Sequence, residues 1–307
     1  MNRAWIHLAL GAVCAISISM PVFSVSAATS SKTPKTISAN VTAAPKRISQ
    51  SPDFVPDVNM FASALVVDAA SGKELYAFKP SKKWSAASLT KLMTAVVFVE
   101  KRPGWNSVVK LVKADEVGGG RLRLALGSRF TVQDAFYSSL VGSANNATMA
   151  LARSTGYSQK GFIKLMNKKA QAIGMTSSSF ADPSGMEPAN IITARDMVTL
   201  MRVAFANPSI LKAASTVSYQ FTAQNPTVRK TILTTDKLKA QTDLRILGAK
   251  TGFLYESQYN FAMKVRPEDQ AGKEMYVVVL GAPTKQGSFD AAESLAKWAL
   301  SAYKWDK

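Results

Sequence analysis

The order of periodicities along this chain constrains its fold more than any single residue does. Phe61 to Asp68 is a strand-like run, Ala69–Gly72 marks a turn, and Lys73 to Phe78 makes a return strand. Helical periodicity then fills Ser88–Lys101, Val132–Leu140, Asn145–Ala152, Gln159–Ile173 and Thr193–Ala206. Strand character returns at Thr216–Phe221, Ile246–Phe253, Gln258–Val265 and Glu274–Leu280, and a helix closes the chain from about Phe289 to Tyr303. Strands at both ends with helices between them predict one sheet assembled from distant segments, with a helical lobe inserted. The chain contains no internal repeat.

Ahead of that pattern stands a segment of another kind. Met1-Asn2-Arg3 is a short positive start, and no further charged residue occurs before Lys32. An apolar stretch runs from about Ala4 to Val25 and leads into the small residues Val25-Ser26-Ala27. This is the layout of a secretory signal peptide, cleaved after Ala27. The other reading is an uncleaved membrane anchor, since about 20 apolar residues span a bilayer. Val13 before Cys14 argues against a lipoprotein signal. The protein is therefore expected to be exported, to the periplasm or cell-wall space. Residues 28–58 are rich in Ser, Thr, Ala, Pro and Lys with little apolar periodicity, and read as a disordered, mildly basic linker. The remaining residues, 59–307, form the expected globular domain.

The single histidine, His7, and the single cysteine, Cys14, both lie in the signal-like segment. With that segment removed, a Ser-His-Asp triad, a cysteine nucleophile and a His/Cys zinc site are excluded together. No metal or organic cofactor is indicated. The net charge of +18 falls only by the loss of Arg3. In an exported protein such basicity favours an anionic cell-wall or membrane surface. Scattered lysines and the lack of a basic-aromatic recognition motif argue against nucleic acid.

Any hydrolytic chemistry would then rest on Ser, Thr, Lys, Tyr, Asp or Glu, and the sequence offers a serine-lysine arrangement that fits. Ser88-Leu89-Thr90-Lys91 sets both on one face at the start of an apolar helix. The pattern alone says little, because Ser107–Lys110, Ser209–Lys212 and Ser294–Lys297 also fit it. Ser143-Ala144-Asn145 falls between two helical segments, with a chance twin at Ser38-Ala39-Asn40 in the linker. Lys250-Thr251-Gly252 occurs once, on a predicted strand. An S-x-x-K at a helix start, an S-x-N at a helix-helix turn and a K-T-G on a late strand, in that order, are the element set of penicillin-recognising serine enzymes.

Longer stretches extend the likeness. Trp84-Ser85-Ala86-Ala87-Ser88-Leu89-Thr90-Lys91-Leu92-Met93-Thr94-Ala95 resembles the nucleophile region of D-alanyl-D-alanine carboxypeptidases, the low-molecular-mass penicillin-binding proteins. Gly118 to Thr131, Leu140 to Ala147, Ala181-Asp182-Pro183-Ser184-Gly185-Met186 and Thr193-Ala194-Arg195-Asp196 resemble the same family. The chain ends soon after the catalytic region, which makes it more similar to the short D-Ala-D-Ala endopeptidase branch. It departs from the family in two places. Leu254 stands where Thr or Ser is common two places after the glycine of K-T-G, and Ser257-Gln258 replaces an Ala-Gly pair before Tyr259.

The resemblance implies an α/β (α+β) fold of the β-lactamase/DD-peptidase type. An antiparallel sheet would be flanked by helices, with an all-helical lobe inserted and the active site between them. It implies a serine-type D-Ala-D-Ala peptidase acting on peptidoglycan stem peptides, by carboxypeptidase or endopeptidase cleavage, with β-lactams as covalent inhibitors. Ser88 would form the acyl-enzyme, with Lys91 as general base if neutral. Ser143 would relay a proton to the leaving amine, and Asn145 would orient Lys91 and bond the substrate amide. Lys250 and Thr251 would bind the substrate carboxylate, and Gly252 would allow close backbone approach. The backbone N–H groups of Ser88 and Phe253 would form the oxyanion hole. Trp84, Tyr137 and Tyr255 read as packing residues ahead of subsite walls. Glu187 sits one residue short of the Glu-to-Asn spacing of a class A β-lactamase loop. A β-lactamase and a non-catalytic wall-binding or sensor protein are the competing readings.

Overall fold

The computed structural model describes residues 43–101, 104–238, 242–270 and 272–305. All belong to the second of two units into which the chain divides, Val41–Lys307. The expected signal peptide, its alternative as an anchor, and Ser38–Asn40 lie outside the described residues. Among the described residues no helix is long and apolar enough to cross a membrane.

In chain order the strands are β1 (Lys46–Arg47), β2 (Ser63–Asp68), β3 (Glu74–Phe78), β4 (Trp84–Ser85), β5 (Val108–Lys110), β6 (Arg129–Thr131) and β7 (Ile191–Ile192). They continue with β8 (Ser218–Ala223), β9 (Val228–Leu233), β10 (Leu244–Leu254), β11 (Gln258–Pro267), β12 (Met275–Ala282) and β13 (Tyr303–Lys304). The helices are α1 (Thr90–Glu100), α2 (Val132–Leu140), α3 (Asn145–Arg153), α4 (Gln159–Ala172), α5 (Ala194–Ala206), α6 (Pro208–Ser215) and α7 (Lys285–Ala302).

As the sequence predicts, one antiparallel sheet joins distant segments, in the order β10-β11-β12-β2-β3. Of its central strands, β12 and β2 are apolar from Met275 to Leu280 and from Ala64 to Val67 because both faces are covered. Successive side chains alternate between faces. Leu65, Val67, Val278 and Leu280 pack with the helical lobe, while Ala64, Val66, Val277 and Val279 pack under α7 with Phe289 and Leu295. Each of those two α7 side chains contributes about 2–3 kcal/mol of apolar burial. The lobe is built around α1, whose residues from Thr90 to Phe98 are all buried, so its sequence is apolar apart from Thr90, Lys91 and Thr94. Short ribbons, β4-β7, β5-β6 and β8-β9, edge the lobe.

Three departures from the sequence reading have local causes. Part of the stretch 28–58, expected to be a disordered linker, contacts the domain: Phe54 packs against the core under α7, and Trp298 Nε1 donates to Pro52 O (3.0 Å). β1 pairs with β13, and the Arg47 guanidinium lies over the rings of Trp298 and Tyr303 at 4.9 and 5.5 Å. The predicted strand at Thr216–Phe221 is half of the β8-β9 hairpin and does not join the sheet. The helix α6 was unforeseen. Asn207 caps it by accepting from the N–H groups of Ser209 (3.0 Å) and Ile210 (3.3 Å), with Pro208 in its first turn.

Candidate active site

A cleft of about 670 Å³ opens between β10 and the lobe, with Ser88, Ser143, Asn145, Thr251, Gly252 and Phe253 on its walls. Behind those walls lie Lys91 and Lys250, which are 0 % and 1 % exposed. All eight site residues proposed from the sequence therefore converge on one place. The chance S-x-x-K matches do not, and their lysines are not buried.

Ser88 sits in a 3-10 turn, Ala87–Leu89, that runs directly into α1. Ala87 has a left-handed backbone (φ 46°), as has Ser143 (φ 58°). Such a conformation costs a residue with a side chain about 1–3 kcal/mol, so Ala87, next to Ser88, and Ser143 are held by their surroundings and not by local preference. The surroundings of Ser88 are backbone on two sides. A Cβ on Gly252 of β10 would lie 3.1 Å from Ala86 O and 3.3 Å from Ser88 N. A Cβ on Gly185 would lie 2.0 Å from Ala87 O. Asn190 O accepts from Ala86 N–H (2.7 Å), and Asn260 Nδ2 donates to Ser85 O (2.9 Å). Sheet and lobe thus grip the same turn.

The Lys91 ammonium nitrogen bonds Ser88 Oγ at 2.8 Å, Asn145 Oδ1 at 2.6 Å and Ser184 O at 2.5 Å. Asn145 is itself fixed by its Nδ2 donating to Gly118 O (2.9 Å). Lys250 Nζ bonds Ser143 Oγ at 2.9 Å and Thr251 O at 3.0 Å. Burial pushes the Lys91 pKa well below the ordinary lysine range, the Lys250 charge lowers it further, and the Asp182 carboxylate opposes them. Burial alone brings Lys250 down to about 7. The arrangement pairs each serine hydroxyl with a lysine that readily gives up its proton. It matches the requirement of a hydroxyl nucleophile beside a base within hydrogen-bond reach.

Several wall residues carried no signal in the sequence. Thr235 Oγ1 lies 2.7 Å from Thr251 Oγ1 on the cleft wall. Met186, Glu256, Asn260 and Lys285 also line it. Asp182 lay in a family-like stretch but without a role. Of the three aromatics read as packing, Trp84 donates to Ser257 O (2.8 Å) and Tyr137 stacks on Tyr219 at 4.3 Å. Tyr255 differs: it is 85 % exposed on the cleft rim, because the β10-β11 turn carries it past the sheet. Glu187 is exposed, and the cleft wall is lined by its neighbours Met186 and Pro188.

Comparison with known proteins agrees with this geometry. The family model for D-alanyl-D-alanine carboxypeptidase matches residues 51–284. A D-alanyl-D-alanine endopeptidase of Escherichia coli (strain K12) is 30% identical over 238 residues, covering 77% of this chain and 76% of the relative. A D-alanyl-D-alanine carboxypeptidase of Bacillus subtilis (strain 168) is 26% identical over 248 residues, covering 79% of this chain and 62% of the relative. The crystal structure of a D-alanyl-D-alanine carboxypeptidase from Mycobacterium tuberculosis H37Rv is similar with a TM-score of 0.74 and 25% identity, over 83% of this chain and 96% of that one. The chain belongs to the D-alanyl-D-alanine carboxypeptidase family and is a serine-type D-Ala-D-Ala peptidase.

Proposed function

We propose that Ser88 is the nucleophile of this peptidase and that Lys91, in its neutral form, takes the Ser88 proton. The Ser88 oxygen bonds the carbonyl carbon of the D-Ala-D-Ala amide, and the C–N bond breaks to leave a Ser88 ester. The departing amine receives that proton from Lys91 through Ser143, which Lys250 orients, and Lys91 is neutral again. Water then hydrolyses the ester and returns the enzyme. Asn145 holds Lys91 and the substrate amide, while Lys250 and Thr251 bind the substrate carboxylate beside Gly252. The N–H groups of Ser88 and Phe253 stabilise the oxyanion, and such donors contribute about 2.7–4 kcal/mol each. The observation that carries this reading is the 2.8 Å bond between Ser88 Oγ and a fully buried Lys91.

Cleavage of cross-linked stem peptides is the mode we favour over trimming of a terminal residue. Endopeptidases of three species are 29–32% identical to this chain and the carboxypeptidase relatives 25–29%, which supports it. Export follows from residues 1–27 acting as a signal peptide, with a connecting stretch before the domain. An anionic wall or membrane surface is the partner that the basic charge favours.

The test is intact mass after incubation with penicillin G, for the wild type and Ser88→Ala. One covalent drug on the wild type and none on the variant is the expected result. Drug consumed without an adduct on the wild type would favour a β-lactamase. No adduct with intact drug would favour a non-catalytic wall-binding protein.

A further inference from the structure

The mechanism above makes no use of Asp182, a carboxylate only 4 % exposed beneath the nucleophile turn. Its Oδ2 accepts from Ser184 N–H (2.8 Å) and from the Ser184 hydroxyl. Its Oδ1 accepts from Gly185 N–H (2.9 Å), Glu187 N–H (3.2 Å) and Asn190 Nδ2. Residues 182–190 are thus wound round one buried anion, through charge-assisted bonds that are among the stronger kinds.

What this loop touches is the catalytic turn and helix. Ser184 O accepts from Lys91 Nζ (2.5 Å), and Pro183 O accepts from Thr94 Oγ1 (2.6 Å) one turn further along α1. Gly185 lies flat against Ala87 O, and Asn190 O holds Ala86 N–H. Asp182 itself is absent from the cleft wall. We propose that Asp182 is a positioning residue of the reaction: it shapes the 182–190 loop that sets Lys91 against Ser88 and clamps the backbone at 86–88. The inference rests on Ser88 and Lys91 acting as proposed above.

A second consequence separates this role from a merely structural one. The charged groups that face Lys91 are Lys250, which favours the neutral amine, and Asp182, which favours the ammonium. Removing the Asp182 charge therefore moves the pH at which Lys91 becomes a base downward.

The experiment measures the rate of acylation by penicillin G against pH, with melting temperature alongside, for the wild type and Asp182→Asn. We expect the plateau rate to fall about 10- to 100-fold, the scale of a misplacement of about 1 Å. We expect the acid limb to move to lower pH as well. A folded variant with the wild-type plateau overturns the proposal. So does a rate loss that follows the melting temperature with the acid limb unmoved. If Asp182→Asn does not fold, Asp182→Glu keeps the charge and displaces the oxygens. A lowered plateau with the limb at its wild-type pH then supports positioning, and a wild-type plateau overturns it. Failure of both variants to fold marks Asp182 as structural only and overturns it too. A wild type that is never acylated refutes the mechanism, whereas an acylated wild type with an unaffected Asp182→Asn refutes this inference alone.

Discussion

Two buried lysines beside two serines set the behaviour of the site at the scale of single residues. The proposed mechanism needs Lys91 without its proton and Lys250 with its own. The rate should therefore rise with pH as Lys91 is deprotonated, and fall again above about 7, where Lys250 loses the charge that binds a carboxylate. Acylation by penicillin G across the pH range checks this, and a rate that keeps climbing through alkaline pH would refute the role of Lys250. The two limbs belong to the coupled pair and not to either lysine alone. Leu254 makes a second residue-scale case. It lines the cleft two places after Gly252 and offers an anionic ligand no donor. Leu254→Thr should speed acylation by penicillin about tenfold, from one added hydrogen bond of about 1–1.5 kcal/mol. An unchanged rate would show that this wall does not meet the drug.

At the scale of elements, the nucleophile turn is secured by its neighbours' backbone. Gly185 combines a φ of 84° with a Cβ position 2.0 Å from Ala87 O, so no side chain fits without displacing the turn. Gly185→Ala should cost about 1–3 kcal/mol in backbone strain and more through the displaced turn. Denaturant melts and penicillin acylation should both register it; wild-type acylation in the variant would mean that the loop moves independently of Ser88. The sequence was legible at this scale wherever apolar periodicity was strong. The sheet strands and α1 to α5 stood out, because each buries a continuous face. The β8-β9 hairpin was only half visible, since β9 alternates intermediate and exposed residues with none buried. The short apolar stretch of α6 did not stand out, and its cap at Asn207-Pro208 was not read. The motif residues were readable because their spacing is local. Thr235, Asp182 and Asn260 were not, because each reaches the site through contacts across the chain that leave no periodic trace.

At the scale of the whole molecule, β2 lies between β12 and β3, with Val66 opposite Val277 and Tyr76. The sheet therefore waits for the end of the chain before it can close, and such long-range pairing slows folding. Both cores share the sheet, so lobe and α7 should unfold together. Far-UV circular dichroism and tryptophan fluorescence should give one coincident midpoint, since Trp105 reports from the lobe and Trp298 from α7 itself. Two separated transitions would show that one core outlives the other. The grip on residues 85–88 gives this cooperativity a practical meaning. Gly185 and Asn190 come from the lobe, Gly252 and Asn260 from the sheet, and the serine exists in its reactive pose only where the two halves meet. If Ser88 is acylated as proposed, a penicillin label on it is an all-or-none gauge of assembly. In a partly denatured sample it counts the intact molecules and passes over every half-folded one.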